Sequence, residues 1–277
     1  MSVFITSLNS GSNGNCYYIG SSDEAILVDA GLSCRETVKR MSRLNLDIRN
    51  VKAVFISHEH ADHIFGLPVL TRKFQIPVYI TERTRLYSGM RLEPQLVHAF
   101  HSYEPVEVGQ LTVHAFPKIH DAADPHSFIV TLEGVKVGIF TDIGNACNNV
   151  VDSFSQCNAV FLESNYDEKM LMTGRYPYHL KQRIRGGKGH LSNRQAYDLF
   201  TGCRPAYMSH LVLSHLSREN NMPEIVEALF KPHSANTEII VASRYKETAV
   251  YEVPAIPSPR VKFANRFVPA GGQLSLF

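Results

Sequence analysis

The stretch that most constrains this chain is His58-Glu59-His60-Ala61-Asp62-His63, which sets four potential metal ligands, three imidazoles and the Asp62 carboxylate, within six residues. It follows Ala53-Val54-Phe55-Ile56, a run that reads as a buried strand. Clustered ligands at a strand end read as a metal site, and their spacing argues against the alternative of a solvated His-rich turn. Where the chain is still extended, His58 and His60 point the same way. As it bends into a helix, Asp62 and His63 turn toward a second ion. One short loop can therefore serve two metals.

Other candidate residues also fall where strands stop. Strands are expected at 3–8, 16–19 and 25–29, with the small polar turn Asn9-Ser10-Gly11-Ser12-Asn13-Gly14-Asn15 between the first two. That turn is either a plain hairpin or a loop whose N–H groups face an anion. Ser33 is a candidate cap for a helix reaching about Leu44, and 65–74 also reads as helical. A strand beginning after Pro77 and two or three short strands over 97–117 lead to His120. A hairpin around Glu133-Gly134 delivers Asp142, a strand at 159–162 delivers Glu163, and one at 210–214 delivers His215. Helices are expected at 168–173, 178–185, 192–200 and 223–230, and strands near 238–242 and 248–252.

A two-metal hydrolase needs two ligand sets and gains from a shared carboxylate. His58, His60 and His120 supply one set; Asp62, His63 and His215 supply the other; Asp142 bridges them. This cysteine-free mixture suits Zn²⁺ and permits Mn²⁺ or Fe²⁺. His210 is the rival to His215, but it begins its strand rather than ending it.

The 28 Lys and Arg against 26 Asp and Glu leave a formal charge of only +2, so a nucleic-acid partner must be met by a local patch. Lys181, Arg183, Arg185 and Lys188 form one, ending at Gly189-His190. Five cysteines without a CxxC pair suit reduced thiols used as small core residues. The start of the chain lacks the features of a signal peptide, and no apolar run approaches a membrane span. A soluble, cytoplasmic protein without membrane association is expected. No linker or repeat is visible: 1–252 reads as one catalytic domain and 253–277, rich in Pro, Gly and Ala, as an extended tail.

With these motifs assembled, the chain resembles the metallo-β-lactamase fold and, within it, the YycJ/WalJ group of bacterial hydrolases. The resemblance rests on Ser10-Gly11-Ser12-Asn13-Gly14-Asn15, the His58 cluster, His120-Asp121-Ala122-Ala123-Asp124-Pro125, Thr141-Asp142, Glu163-Ser164-Asn165, Gly189-His190-Leu191-Ser192-Asn193 and His215-Leu216-Ser217. It implies an α/β protein built as a four-layer αββα sandwich, a dinuclear centre and phosphodiesterase chemistry, with DNA exonucleases as the group's members. Tyr166 departs from relatives that often carry His. A wider similarity to ribonuclease Z implies that Glu163 orients His190, and that His190 stabilises phosphoryl charge or protonates the leaving oxygen. Asp62 would double as metal ligand and as orienter of a metal-bridging hydroxide that attacks phosphorus in line. A histidine that caps the following helix is the alternative for His190.

The expected function is therefore a metal-dependent DNA exonuclease of replication or repair. The alternatives are a hydrolase of cyclic phosphodiesters or glyoxalase-type thioesters, and an RNA-processing nuclease like ribonuclease Z. The peptide Gln273-Leu274-Ser275-Leu276-Phe277 matches the consensus by which bacterial polymerases and repair proteins dock on the sliding DNA clamp. Its alternative is to pack on its own domain.

Overall fold

The computed structural model describes residues 2–255; the peptide 273–277 lies outside them. The first strands in the chain are β1 (Val3–Asn9), β2 (Cys16–Gly20), β3 (Ala25–Val28), β4 (Val51–Phe55), β5 (Val78–Tyr79) and β6 (Val97–His98). They lie side by side in that order, antiparallel through β3 and parallel from there on. A second sheet holds β7 (Pro105–Val108), β8 (Leu111–Pro117), β9 (His126–Leu132), β10 (Val135–Phe140), β11 (Ala159–Glu163), β12 (His210–Ser214) and β13 (Glu238–Val241), again in chain order. The chain then returns to the first sheet with β14 (Tyr251–Val253), antiparallel to β1.

Several strands are apolar without a break because both of their faces are covered. In β11, Ala159 and Phe161 point between the sheets, while Val160 and Leu162 point outward. Between the sheets, Ile5, Tyr17, Val28 and Phe55 meet Val113, Phe128, Val137 and Val212. Outside the first sheet, Leu27 and Val54 pack with Met41 of α1 (Cys34–Arg43) and with Leu67 and Leu70 of α3 (Leu67–Phe74), which follows the single turn α2 (Ala61–Ile64). Further helices are α4 (Glu82–Ser88), α5 (Asn148–Phe154), α6 (Glu168–Thr173), α7 (Tyr178–Arg185), α8 (Asn193–Cys203) and α9 (Pro223–Phe230). Phe154 of α5, Phe200 of α8 and Phe230 of α9 cover Phe140, Leu162 and Leu213 on the second sheet. Each such fully buried side chain contributes about 1.5–3 kcal/mol. The four layers are those of an αββα sandwich. No helix among the described residues is long and apolar enough to cross a membrane.

This topology gathers one edge of the molecule. Parallel pairing sends β3 and β4 the same way in one sheet and β10, β11 and β12 the same way in the other. Two antiparallel steps, β8 to β9 to β10, turn β8 in that direction too. The loops carrying the His58 cluster, His120, Asp142, Glu163 and His215 therefore all leave from strand carboxyl ends.

Local structure departs from the sequence expectation in several places. The helix expected over 65–74 is broken at Gly66, whose N–H bonds to the Ala30 carbonyl at 2.8 Å and whose Cα lies against Leu32. The short helices α4 and α5 carry too few apolar positions to set a period. The last strand is 251–253 rather than 248–252, since Thr248 uses its hydroxyl and backbone on Thr6 and Ser7 instead. The five cysteines are free; Cys16, Cys34 and Cys157 are buried, and Cys147 and Cys203 pack half-buried against the core.

Gly31 fastens the His58 loop to β3. A Cβ there would stand 1.7 Å from the Asp62 carbonyl oxygen and 2.6 Å from the Asn15 nitrogen. We expect Gly31→Ala to destabilise the fold by about 1–3 kcal/mol. Gly202→Ala in α8, where nothing lies within 4 Å, should instead stabilise by about 0.4–1 kcal/mol. Urea midpoints of the two variants check both signs.

Candidate metal centre

The His58 loop adopts both conformations its sequence suggests. His60 is extended (φ −62°, ψ 144°) and precedes α2, so His58 and His60 leave an extended segment, and Asp62 and His63 leave the helical turn. His58 Nε2 lies 3.1 Å from His60 Nδ1, and their rings pack against that of His120 at 5.0 and 5.1 Å. On the other side, Asp62 Oδ2 is 3.5 Å from both His63 Nε2 and His215 Nε2. Asp142 stands between the groups: its Oδ2 is 3.2 Å from His63 Nε2, and its Oδ1 is 3.4 Å from His215 Nδ1 and 3.8 Å from His120 Nε2.

Four imidazoles have Nδ1 on a fixed partner, three of them turned away from the cluster and the fourth, that of His215, also within 3.4 Å of Asp142 Oδ1. His58 Nδ1 meets Ser57 Oγ at 2.9 Å, His63 Nδ1 meets Asp29 Oδ2 at 2.7 Å, His120 Nδ1 meets the Gly189 carbonyl at 3.0 Å, and His215 Nδ1 meets Glu163 Oε1 at 3.0 Å. Each of these bonds leaves Nε2 facing the cluster, the arrangement in which an outer hydrogen bond selects the tautomer of a ligating histidine. Asp29 also accepts the Ser57 N–H (2.8 Å) and hydroxyl (2.9 Å), so it steadies His63 directly and His58 through Ser57.

Glu163 plays the corresponding part from the second sheet. Fully buried, it accepts the Ile143 and Leu191 N–H groups and places Oε1 2.7 Å from His190 Nδ1. The helix-cap alternative for His190 fails: Ser192 caps α8 in a reciprocal pair with Gln195.

Burial opposes ionisation of Glu163, but His190 and His215 outweigh it and hold the carboxyl at about 2. Burial lowers His120 to about 4 and also lowers His58, leaving both neutral. For His215 burial is overcome by Asp142, Asp62 and Glu163, which raise it to about 10; Asp142, Asp29 and Asp62 likewise raise His63. The negative field that keeps those protons favours a cation in their place, with proton release on binding.

Metal ions fit this donor set on a second ground. His120 Nε2, Asp142 Oδ2 and His215 Nε2 are buried without a hydrogen-bond partner, although a buried polar atom left unsatisfied costs about 1–3 kcal/mol. Close ligand-type groups comprise His58 with His60 and His120, His58 with His63 and Asp142, Asp62 with His63 and His215, and Asp142 with Glu163, His190 and His215. His210 lies apart at the start of β12, 3.5 Å from Glu238.

Sequence reasoning missed Asp29, Asn15 and Lys118. Asn15 Nδ2 donates to Asp62 Oδ2 at 3.1 Å and lies 3.1 Å from His63 Nε2. Its turn is a brace rather than an anion site: the N–H groups of Ser10, Gly11, Gly14 and Asn15 bond to Ser243, Asn15, Gly11 and Asp62. Buried Lys118 donates to the Thr141 carbonyl at 2.7 Å beside Asp142, and burial lowers its pKa. The strand-end rule that found Glu163 would also have found Asp29.

In the basic patch, Arg183 is bound to Asp121 at 2.6 Å, Lys181 to the Met172 carbonyl at 2.8 Å, and Arg185 rests 3.5 Å from Met172 Sδ. Lys188 is exposed in the glycine loop leading to His190, while Tyr166 is buried beside a cavity lined by Glu168 and Arg185.

Residues 10–180 match the family model of the metallo-beta-lactamase superfamily. An exodeoxyribonuclease, YycJ, of Bacillus anthracis is 34% identical over 230 residues, covering 81% of this chain and 86% of its own. The exodeoxyribonuclease WalJ of Streptococcus pneumoniae is 29% identical over 86% of this chain and 91% of its own. The metallo-beta-lactamase fold protein YhfI of Bacillus subtilis superposes with a TM-score of 0.70 at 18% identity, over 91% of this chain and all of its own.

The anchoring role of Asp29 is open to test by Asp29→Asn. Asparagine tolerates the left-handed backbone there (φ 61°) but turns an amide toward either Ser57 or His63. We expect metal affinity, measured by calorimetric titration, to fall about 10–100-fold with the far-UV spectrum unchanged.

Proposed function

Because the chain belongs to the metallo-beta-lactamase superfamily, we propose that its site is a dinuclear centre and that the protein is a cytoplasmic DNA exonuclease of replication or repair. His58, His60 and His120 would hold one ion, Asp62, His63 and His215 the other, with Asp142 between them. Zn²⁺ or Mn²⁺ suits these ligands, and Fe²⁺ is compatible. Bound there, divalent ions acidify water toward a pKa of ~7 and neutralise phosphoryl charge.

The chain's own residues supply the rest. Asp62, partly exposed, accepts a hydrogen bond from the attacking water and points its lone pair at phosphorus. Glu163 accepts Nδ1–H of His190 at 2.7 Å and supports the imidazolium form, whose Nε2–H protonates the oxygen that departs on the opposite side. Lys181, Arg183, Arg185 and Lys188 meet the flanking backbone; Arg183 must exchange Asp121 for a phosphate to do so.

The observation that carries this reading is the pair of buried Glu163 and part-exposed His190 beside the cluster, a proton donor that a phosphodiester leaving group needs and a thioester does not. The exodeoxyribonuclease names of the two relatives support DNA as substrate. Metal-loaded protein given end-labelled single- and double-stranded DNA and RNA should release mononucleotides from DNA. Products from RNA alone, or turnover only of cyclic nucleotides or thioesters, would refute the DNA assignment. His190→Ala should keep its metals and lose ~10²–10⁴-fold in rate; unchanged turnover would remove His190 from the chemistry.

For the carboxyl-terminal peptide we propose docking on the bacterial sliding clamp, with Gln273 at a pocket rim, Ser275 in the spacer position, and Leu274, Leu276 and Phe277 in apolar pockets. A five-residue anchor of this kind should bind at about micromolar affinity. Titration of purified clamp should detect the full chain and not a chain ending at Gly272. Equal binding by both would refute the assignment.

A further inference from the structure

A groove of about 500 Å³ opens beside the metal centre, between the segment after His215 and the segment after β13. Ser10 and Leu216 line its inner end, and the Ser10 hydroxyl accepts the His215 N–H at 2.7 Å, so the groove begins one residue from a proposed ligand. Its outer wall carries Arg218, Arg244, Tyr245 and Lys246.

The side chains of 244–246 are arranged for an external partner, whereas Arg218 pairs with Glu219 at 3.5 Å and would have to exchange it for a phosphate. Arg244 Nη1 is buried without a hydrogen-bond acceptor, and Lys246 has no side-chain partner among the described residues. The Arg183, Lys181 and Arg185 side chains of α7, by contrast, already have partners within the chain. Tyr245 is 72% exposed, although its backbone is fixed by Arg40, which donates to the Tyr245 carbonyl at 3.2 Å. An aromatic ring held out on an anchored backbone, with a cationic residue on either side of it in the chain, offers a stacking surface flanked by positive charge. The opposite wall is acidic, with Glu224 and Glu227 of α9, and Glu227 is neutralised by Lys231 at 2.6 Å. A polyanion would therefore follow the 244–246 wall.

We propose that this groove is a subsite for single-stranded nucleic acid, seating the nucleotides next to the scissile phosphate. Arg244, Lys246 and Arg218 contact phosphates, and Tyr245 stacks on an unpaired base. A duplex hides its base faces, so stacking selects a strand that has been separated. The inference rests on the phosphodiesterase reading of the metal centre and adds where the strand lies.

The test uses the full metal-loaded chain and a hydrolysis-resistant phosphorothioate oligothymidylate, followed by fluorescence anisotropy across a salt series. Tyr245→Ala should weaken binding about ten-fold, and Tyr245→Phe, which retains the ring, should restore it. Arg244→Ala with Lys246→Ala should flatten the slope of log affinity against log salt by about 0.7 for each phosphate that is no longer neutralised. Thermal unfolding confirms that each variant is folded; Tyr245 and Lys246, both exposed, provide variants that do not disturb packing. Wild-type affinity and slope in all of them would overturn the groove assignment, as would weakening confined to duplex DNA. Hydrolysis of a small phosphodiester by the wild-type chain reads the metal centre separately: its absence would overturn the underlying function, whereas its presence with unaffected oligonucleotide binding would overturn the groove alone.

Discussion

Two buried carboxylates, one at the edge of each sheet, determine how the imidazoles stand. Asp29 follows β3 and holds His63 directly and His58 through Ser57; Glu163 ends β11 and holds His190 and His215. Burying a carboxylate is costly, and here the cost is offset by hydrogen bonds from backbone N–H groups as well as from side chains. The two anchors divide the labour. Asp29 sets ligands of the first sheet's loop, while Glu163 joins a candidate ligand, His215, to the candidate proton donor, His190. A displacement of Glu163 would thus disturb binding and proton transfer together.

The backbone shares in this arrangement. Asp29, Asp142 and His215 have φ values of 61°, 56° and 56°, a left-handed conformation that is uncommon for residues other than glycine. All three occur just after a strand ends. In that conformation the chain turns abruptly, so a side chain leaves the strand's own alternation and enters the space between the two sheet edges. Strain concentrated at these three positions is consistent with a site that the surrounding packing over-determines.

Much of this was legible in the chain because the chemistry-bearing side chains are polar residues interrupting apolar strands. His120, Asp142, Glu163 and His215 announce themselves by where the apolar runs stop. The four layers followed from the family resemblance that these motifs carry, and the structure gives their physical ground in strands such as β11, where Ala159–Leu162 is apolar throughout because both faces are covered. What escaped were relations rather than residue types. Asp29 closes an apolar strand as Glu163 does, but the part it plays emerges only when Ser57 and His63 are brought against it. The basic residues of α7 looked free because the acid that binds Arg183 is Asp121, 62 positions earlier. Gly66 divides a helix for a tertiary reason, close approach to Leu32, that a periodicity does not record.

The position of β14 has a consequence for how the molecule is made. A chain emerging from the ribosome presents β1 through β6 first, yet the outer edge of β1 has no partner until Tyr251–Val253 has been synthesised. Until then, Val3–Asn9 is an open template for intermolecular pairing. The hydroxyl–hydroxyl bond between Thr6 and Thr248, and the Ser7 N–H that donates to the Thr248 hydroxyl, then act as a late latch beside that edge. Vectorial synthesis thus leaves the first described strand dependent on the last described one, and a nascent chain arrested before residue 251 would retain an exposed, unpaired edge.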